Sequence, residues 1–164
     1  MVRSPNEFLL DRLQQLAPQR VVSIGACVPP ALQSYCEQND CQIQHFETHD
    51  ARQQLQGATP SELVLLTDAL EHLPPLEGRA LLGWLRNYCA PRVWLSYSPT
   101  EQDGDTCWQD ADFYALGLTR EQGFSQGQRK LVFYAFDLLT YNHVRTWNNP
   151  DNWANPENWG KYWW

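Results

Sequence analysis

The chain has 164 residues and a formal net charge of −7 at neutral pH, with 43% hydrophobic and 13% aromatic residues. That length supports one domain with a real core, the composition excludes a disordered chain, and the acidic balance argues against a nucleic-acid partner. No apolar run is long enough to span a membrane, and the N-terminal stretch lacks the apolar core of a signal peptide, so a cytoplasmic protein is expected. The five cysteines (Cys27, Cys36, Cys41, Cys89 and Cys107) are odd in number and include no Cys-x-x-Cys pair. Reduced, mostly buried thiols are the expected state.

Ser4-Pro5-Asn6-Glu7 is a capping box with proline at the first helical position, and Leu9, Leu13 and Leu16 give the helix that follows one apolar face up to Pro18. Val21-Val22-Ser23-Ile24 reads as a short β-branched strand closed by Gly25. Pro29-Pro30 opens a second helix to about Gln38, with Leu32, Tyr35 and Cys36 inward. Gln42 to Glu47 alternates weakly as a strand, and His49 to Gln56 predicts a short polar helix ending near Gly57. Leu63 to Thr67 is an unbroken apolar run, the pattern of a strand buried on both faces. A helix from about Glu77 to Cys89 buries Leu81, Leu82, Leu85 and Cys89, although Gly78 and Gly83 lower its propensity. Val93 to Tyr97 is the next strand.

So far the order is α-β-α-β-α-β-α-β, which predicts an α/β fold of three layers built on a parallel sheet. The pattern then changes. Asp110 to Leu116 predicts a short helix, and two strands follow at Leu118–Gln122 and Lys130–Leu139. They are joined by Ser125-Gln126-Gly127 in a loop longer than the tightest turns, so an antiparallel hairpin finishes the sheet. Leu131 to Phe136 is apolar on both faces and is expected inside it.

The segment Asp68-Ala69-Leu70-Glu71-His72-Leu73-Pro74, directly after the Leu63–Thr67 strand, resembles class I S-adenosylmethionine-dependent methyltransferases, especially small-molecule ones of the quinone-biosynthesis type. The order of elements from Ala17 to Leu139 is similar to that family's Rossmann-like architecture. In the family, the first strand ends in an acid, an apolar residue and Gly-x-Gly-x-Gly, where glycines let the backbone approach the cofactor. This chain reads Ser23-Ile24-Gly25-Ala26-Cys27-Val28-Pro29. Gly25 is kept; Ser23 replaces the acid, Cys27 the second glycine and Pro29 the third. The resemblance implies that Cys27 occupies space where cofactor normally lies, and that the loss of the acid removes an orienting carboxylate.

The resemblance also assigns Glu47, after the second strand, to ribose hydroxyls. It places Asp68, Glu71 and His72 at the floor of the cofactor and substrate pocket. The candidate cofactor-binding set is therefore Gly25, Cys27, Glu47, Asp68, Glu71 and His72. The stretch from Glu47 to Leu63 is too short for the family's usual helix, third strand and loop, and Asp50 is a poor substitute for the acid of that strand. No catalytic residue can be named. His72 beside two carboxylates has the chemistry of a general base, while the Glu-His pair in the family is commonly structural. His45, Glu47, His49 and Asp50 are crowded, but the segment around His45 reads as a strand and no metal site is expected. Cys27 at a helix start has the setting of an activated thiol, against plain packing as the other reading.

Residues 142–164 differ from everything before. Asn149 to Ala154 and Asn155 to Gly160 form a near-repeat, Asn-Pro-acid-Asn-Trp-small, and this stretch holds Trp147, Trp153, Trp159, Trp163 and Trp164, most of the chain's eight tryptophans. Asn-Pro steps start turns or short helices. The expected organisation is a methyltransferase-like domain, 1–141, with a Trp-rich appendage, 142–164, that packs on the domain or offers an aromatic surface to a protein partner. Two functions stand. One is a non-catalytic pseudo-methyltransferase that binds or regulates. The other is a small methyltransferase that uses S-adenosylmethionine on a small molecule. A cleft for some other nucleotide or metabolite is a weaker third.

Overall fold

The structure, a computed structural model, describes residues 4–99, 107–141, 155–158 and 160–161. Ser4 starts helix α1 (Pro5–Leu16) as its sequence requires: its hydroxyl accepts from the Glu7 N–H and its own N–H donates to the Glu7 carboxylate at 2.7 Å. Ala17 ends the helix in the left-handed region, at φ 50°. The chain continues as β1 (Arg20–Gly25), α2 (Pro30–Asn39), β2 (Gln42–Phe46), α3 (Ala51–Gln54) and β3 (Leu63–Thr67). A 3-10 turn (Leu70–His72) leads into α4 (Pro75–Tyr88), β4 (Arg92–Tyr97), α5 (Asp110–Ala115), β5 (Thr119–Gln126), β6 (Arg129–Asp137) and α6 (Leu138–Tyr141).

The sheet has six strands in the order β2-β1-β3-β4-β6-β5. The first four run parallel, while β6 lies antiparallel between β4 and β5. Alternation along the strands separates two apolar layers. Val21, Leu63, Leu65, Trp94, Phe133 and Ala135 pack with Leu9, Leu13 and Leu32 of α1 and α2. Val22, Ile24, Val64, Leu66, Val93 and Leu95 pack with Leu81, Leu82 and Leu85 of α4 and with Phe113 of α5. The fold is therefore a three-layer, Rossmann-like α/β domain finished by an antiparallel hairpin. Phe113 is fully buried and stacks on Trp108 and Tyr134, with ring centroids 5.0 and 4.0 Å away. That aromatic stack fixes the segment after β4 against the sheet.

Several boundaries differ from the sequence reading. β5 runs on through Ser125 and Gln126, so the hairpin closes through Gly127-Gln128 alone, with Gly127 at φ 61°. That is the glycine-first arrangement of a tight two-residue turn, not the longer loop expected. The polar run in β5 hides the strand because it is a sheet edge, and a register shift between Arg120 and Gln122 breaks its alternation. The helix expected over His49–Gln56 shrinks to α3. With nothing else between β2 and β3, β2 is left as the other edge, which is why its residues are exposed or half-buried. Tryptophans 147, 153, 159, 163 and 164 lie outside the described residues; the second Asn-Pro unit forms one 3-10 turn, Pro156–Asn158.

The two glycines of α4 are not alike. A Cβ on Gly78 would sit 2.7 Å from Trp108 Cζ2, whereas one on Gly83 meets nothing within 4 Å. Helix propensity favours alanine at both by about 1 kcal/mol, but overpacking costs about 1–3 kcal/mol. Gly83→Ala is expected to raise the unfolding free energy by roughly 0.5–1 kcal/mol and Gly78→Ala to lower it, both read from urea midpoints at constant m.

Candidate functional site

Parallel strands deliver their following loops to one edge of the sheet, and all six candidate residues are at or just past that carboxyl edge. Gly25 pairs with Thr67, and Ile24 with Phe46, so the loops after β1, β2 and β3 lie side by side. Cys27 is exposed in the loop before α2, Glu47 is exposed after β2, and Asp68 and His72 are exposed after β3. Glu71 is half-buried.

Gly25 owes its identity to the sheet. Its φ is +147°, and a Cβ there would run into the Thr67 carbonyl oxygen at the end of β3. The surviving glycine of the altered motif is thus demanded by backbone packing, with or without a ligand. Pro29 caps the next helix at φ −60°, an ordinary helix entry.

Ser23 is fully buried, and its hydroxyl lies 3.2 Å from Nδ1 of His45, its register partner on β2. A neutral side chain tied to the neighbouring strand therefore holds the position where the resemblance implies an acid. This pair accounts for His45, whose exposed ring on the edge strand β2 is held by the buried Ser23 hydroxyl. Among the described residues, no group of three or more His, Cys, Asp or Glu is placed to hold a metal ion.

Glu71 is the tie of the next loop. Its Oε1 accepts the Ser98 N–H at 2.7 Å, joining the loop after β3 to the end of β4. Burial pushes its carboxyl above the usual range; the Ser98 N–H works against this, Asp68 adds to it and His72 opposes it. Its Oε2 is buried without a hydrogen-bond partner among the described residues, as is the indole Nε1 of Trp108. Asp68 holds a left-handed backbone (φ 51°), which suits Asp better than most residues, and its carboxylate meets His72 Nε2 at 3.1 Å. Both side chains are more than half exposed, so the contact is open to water and of small energetic weight.

The structure thus brings Asp68, Glu71 and His72 together and sets Gly25 beside them through Thr67. It places Glu47 on the next loop along the edge, without a shared contact. The Ser23–His45 and Glu71–Ser98 partnerships are not visible in the sequence, because each depends on strand register. Cavities occur elsewhere. One of about 370 Å³ lies beneath α1 at the opposite edge, between the ion pairs Arg12–Glu121 (3.3 Å) and Arg92–Asp137 (2.9 Å) over Trp94. Another, of about 250 Å³, lies between Leu55, Thr59, Trp84 and Tyr88.

Sheet order, hairpin and edge loops together define a divergent class I methyltransferase-like fold. The chain belongs to the family described as "Family of unknown function (DUF6231)", whose model matches residues 3–164. It is similar in structure to the magnesium protoporphyrin IX methyltransferase of Synechocystis PCC 6803 with bound S-adenosylhomocysteine, at 14% identity and a TM-score of 0.52, covering 80% of this chain and 82% of that one. It is also similar to the 1,6-didemethyltoxoflavin-N1-methyltransferase of Burkholderia thailandensis, solved with 1,6-didemethyltoxoflavin and S-adenosylhomocysteine, at 15% identity and a TM-score of 0.51, covering 83% and 79%. The S-adenosylmethionine-dependent methyltransferase SibL, in its apo form, matches at 14% identity and a TM-score of 0.53, over 81% of this chain and 55% of that one. At these identities the likeness concerns the fold. The chain matches no curated protein sequence. Among the described residues, no helix is long and apolar enough to cross a membrane.

Because its carboxyl titrates higher when folded than when unfolded, Glu71 binds protons preferentially in the native state, and stability falls as pH rises through that interval. Glu71→Gln keeps an acceptor for Ser98 and removes the charge. It is expected to flatten this fall and to match or exceed the wild type at pH 7. Glu71→Ala leaves the Ser98 N–H without its partner and should cost about 1–3 kcal/mol. Denaturant unfolding between mildly acidic and neutral pH reads both.

Proposed function

We propose that the protein is a non-catalytic, methyltransferase-like module with a binding or regulatory role. The observation that carries this reading is Ser23: fully buried and tied to His45 across β1 and β2, it leaves the position expected to hold an acid neutral and closed. Cys27 supports it by placing a side chain in the neighbouring loop, and Gly25 does not oppose it, since the Thr67 carbonyl accounts for the glycine. Glu71 commits one oxygen to Ser98, which ties the loop without any ligand. These residues argue against S-adenosylmethionine lying along this edge in the way the resemblance implies.

The second reading is a small methyltransferase that uses S-adenosylmethionine on a small molecule. It is favoured by the exposed carboxylates of Glu47 and Asp68 on the same edge, chemically suited to ribose hydroxyls, and by similar folds solved with bound S-adenosylhomocysteine. In either reading the Trp-rich stretch 142–164 is an appendage, either packed on its own domain or presented to a protein partner.

Titration with S-adenosylhomocysteine separates the two. Ligand at about 100 times its Kd adds about 2.7 kcal/mol, which in a domain of this size raises Tm by about 5–11 °C. The proposed module shows no such shift at millimolar ligand; a shift of that size favours the second reading, which transfer of a labelled methyl group from S-adenosylmethionine to a small acceptor would establish. Run in parallel on a chain ending at Tyr141, the same melt reports the appendage. A lowered Tm marks a tail packed on the domain, and an unchanged one a tail presented outward.

A further inference from the structure

The two edges of the sheet are built differently. β5 is guarded: its register against β6 shifts between Arg120 and Gln122, and its charged side chains reach to neighbouring elements, Arg120 to Asp110 at 3.1 Å and Glu121 to Arg12 at 3.3 Å. Bulges and charges of this kind keep an edge strand from pairing with another chain. β2 has neither. Gln42-Ile43-Gln44-His45-Phe46 contains no acid, lysine, arginine, proline or glycine, and it pairs with β1 in unbroken register along its whole length. Its apolar side chains are left unfinished on both faces, with Ile43 half-buried at the rim of one apolar layer and Phe46 at the rim of the other.

Register fixes which backbone groups of this edge are unspent. The Gln42 N–H donates to the Gln19 carbonyl at 2.8 Å, and Gln42 faces Arg20 across the pair. In a parallel ladder alternate residues turn both their groups to the same neighbour, so Gln42, Gln44 and Phe46 serve β1. Ile43 and His45 present their N–H and C=O outward, where the sheet has no further strand.

We propose that β2 is an interface for a second copy of this chain, the two β2 strands pairing antiparallel about a twofold axis at Gln44. An axis at the central residue overlaps the strand fully and sets Ile43 of each copy opposite His45 of the other. Those are the residues with outward groups, so each such pair exchanges both of its N–H···O bonds. Between them Gln44 meets its own counterpart in the non-hydrogen-bonded position, with Cα atoms about 4.5 Å apart, where two carboxamides can bond each other. Gln42 falls opposite Phe46. The edge is thus complementary to itself, and no like charges meet along it although each chain carries a formal net charge of −7. The second strand also extends cover over Ile43 and Phe46. A strand of this length buries far less than a permanent dimer needs, so the association is weak and reversible. Antiparallel pairing sends the two carboxyl edges to opposite ends of the joined sheet, and the inference does not depend on what those edges bind.

The test uses the full chain under reducing conditions. Sedimentation velocity at rising protein concentration is expected to show a reversible monomer–dimer equilibrium. Hydrogen exchange at the Ile43 and His45 amides should slow with concentration, while the Gln44 and Phe46 amides, already bonded to β1, keep their rates. Gln44→Lys sets two ammonium groups face to face and should weaken dimerisation by about fivefold, with the melting temperature of the dilute monomer unchanged because the side chain is exposed. Gln44→Cys, mildly oxidised, should yield a dimer whose mapped cross-link joins position 44 to position 44, while Gln42→Cys, opposite Phe46, should not link to itself. A chain that stays monomeric up to its solubility limit overturns the proposal. So does a dimer indifferent to Gln44→Lys, or one that leaves the Ile43 and His45 amides exchanging as in the monomer, since either places the contact on another surface.

Discussion

At the carboxyl end of β1, the carbonyl of Thr67 occupies the space that any side chain on Gly25 would need. This close approach of β1 and β3 sets the geometry of the whole edge. It puts the loop that begins at Gly25 against the loop that begins at Asp68, and with β2 on the far side of β1 it brings Glu47 into the same row. A glycine that reads as part of a cofactor motif is thus required by strand pairing alone. Its presence records the architecture and is silent on a ligand.

Ser23 and one oxygen of Glu71 find partners within the protein, while the other Glu71 oxygen is buried without one among the described residues. A buried hydroxyl without a partner costs several times what a paired one contributes, and Ser23 meets that requirement through His45. Glu71 does the same for the Ser98 N–H, at the price of a carboxyl whose charged form is disfavoured by burial. Both contacts join adjacent strands or loops, so they stiffen the place where a ligand-binding fold usually keeps open donors and acceptors. The exposed Asp68–His72 pair adds little to this, being open to water on both sides.

How much of this is legible in the sequence varies with the physics of each element. α1, α2 and α4 are readable because proline, capping residues and the 3.6-residue apolar spacing are local signals. β3 and β6 are readable because strands buried on both faces are continuously apolar. β5 runs beyond its sequence signal because an edge strand with Gly123 and Ser125 in it carries no such run, and its register shift spoils alternation. The candidate loops are found through the resemblance. The reason for Gly25, the partner of Ser23 and the partner of Glu71 are not, since each is set by which strands lie side by side. Gly78 reads as a weak point of a helix, yet Trp108, thirty residues later, fills the space above it.

The central claim is that this edge is held by the protein's own contacts, and the Ser98 amide reports on it most directly. Its N–H donates to a carboxylate on a different loop, so its exchange with solvent requires that loop to open. Site-resolved hydrogen exchange on the ligand-free chain, repeated with saturating S-adenosylhomocysteine, measures that opening. The account predicts a protected Ser98 amide without ligand and no change when ligand is added. Exchange at the rate of an open loop in the free protein, slowed only by the ligand, would contradict it.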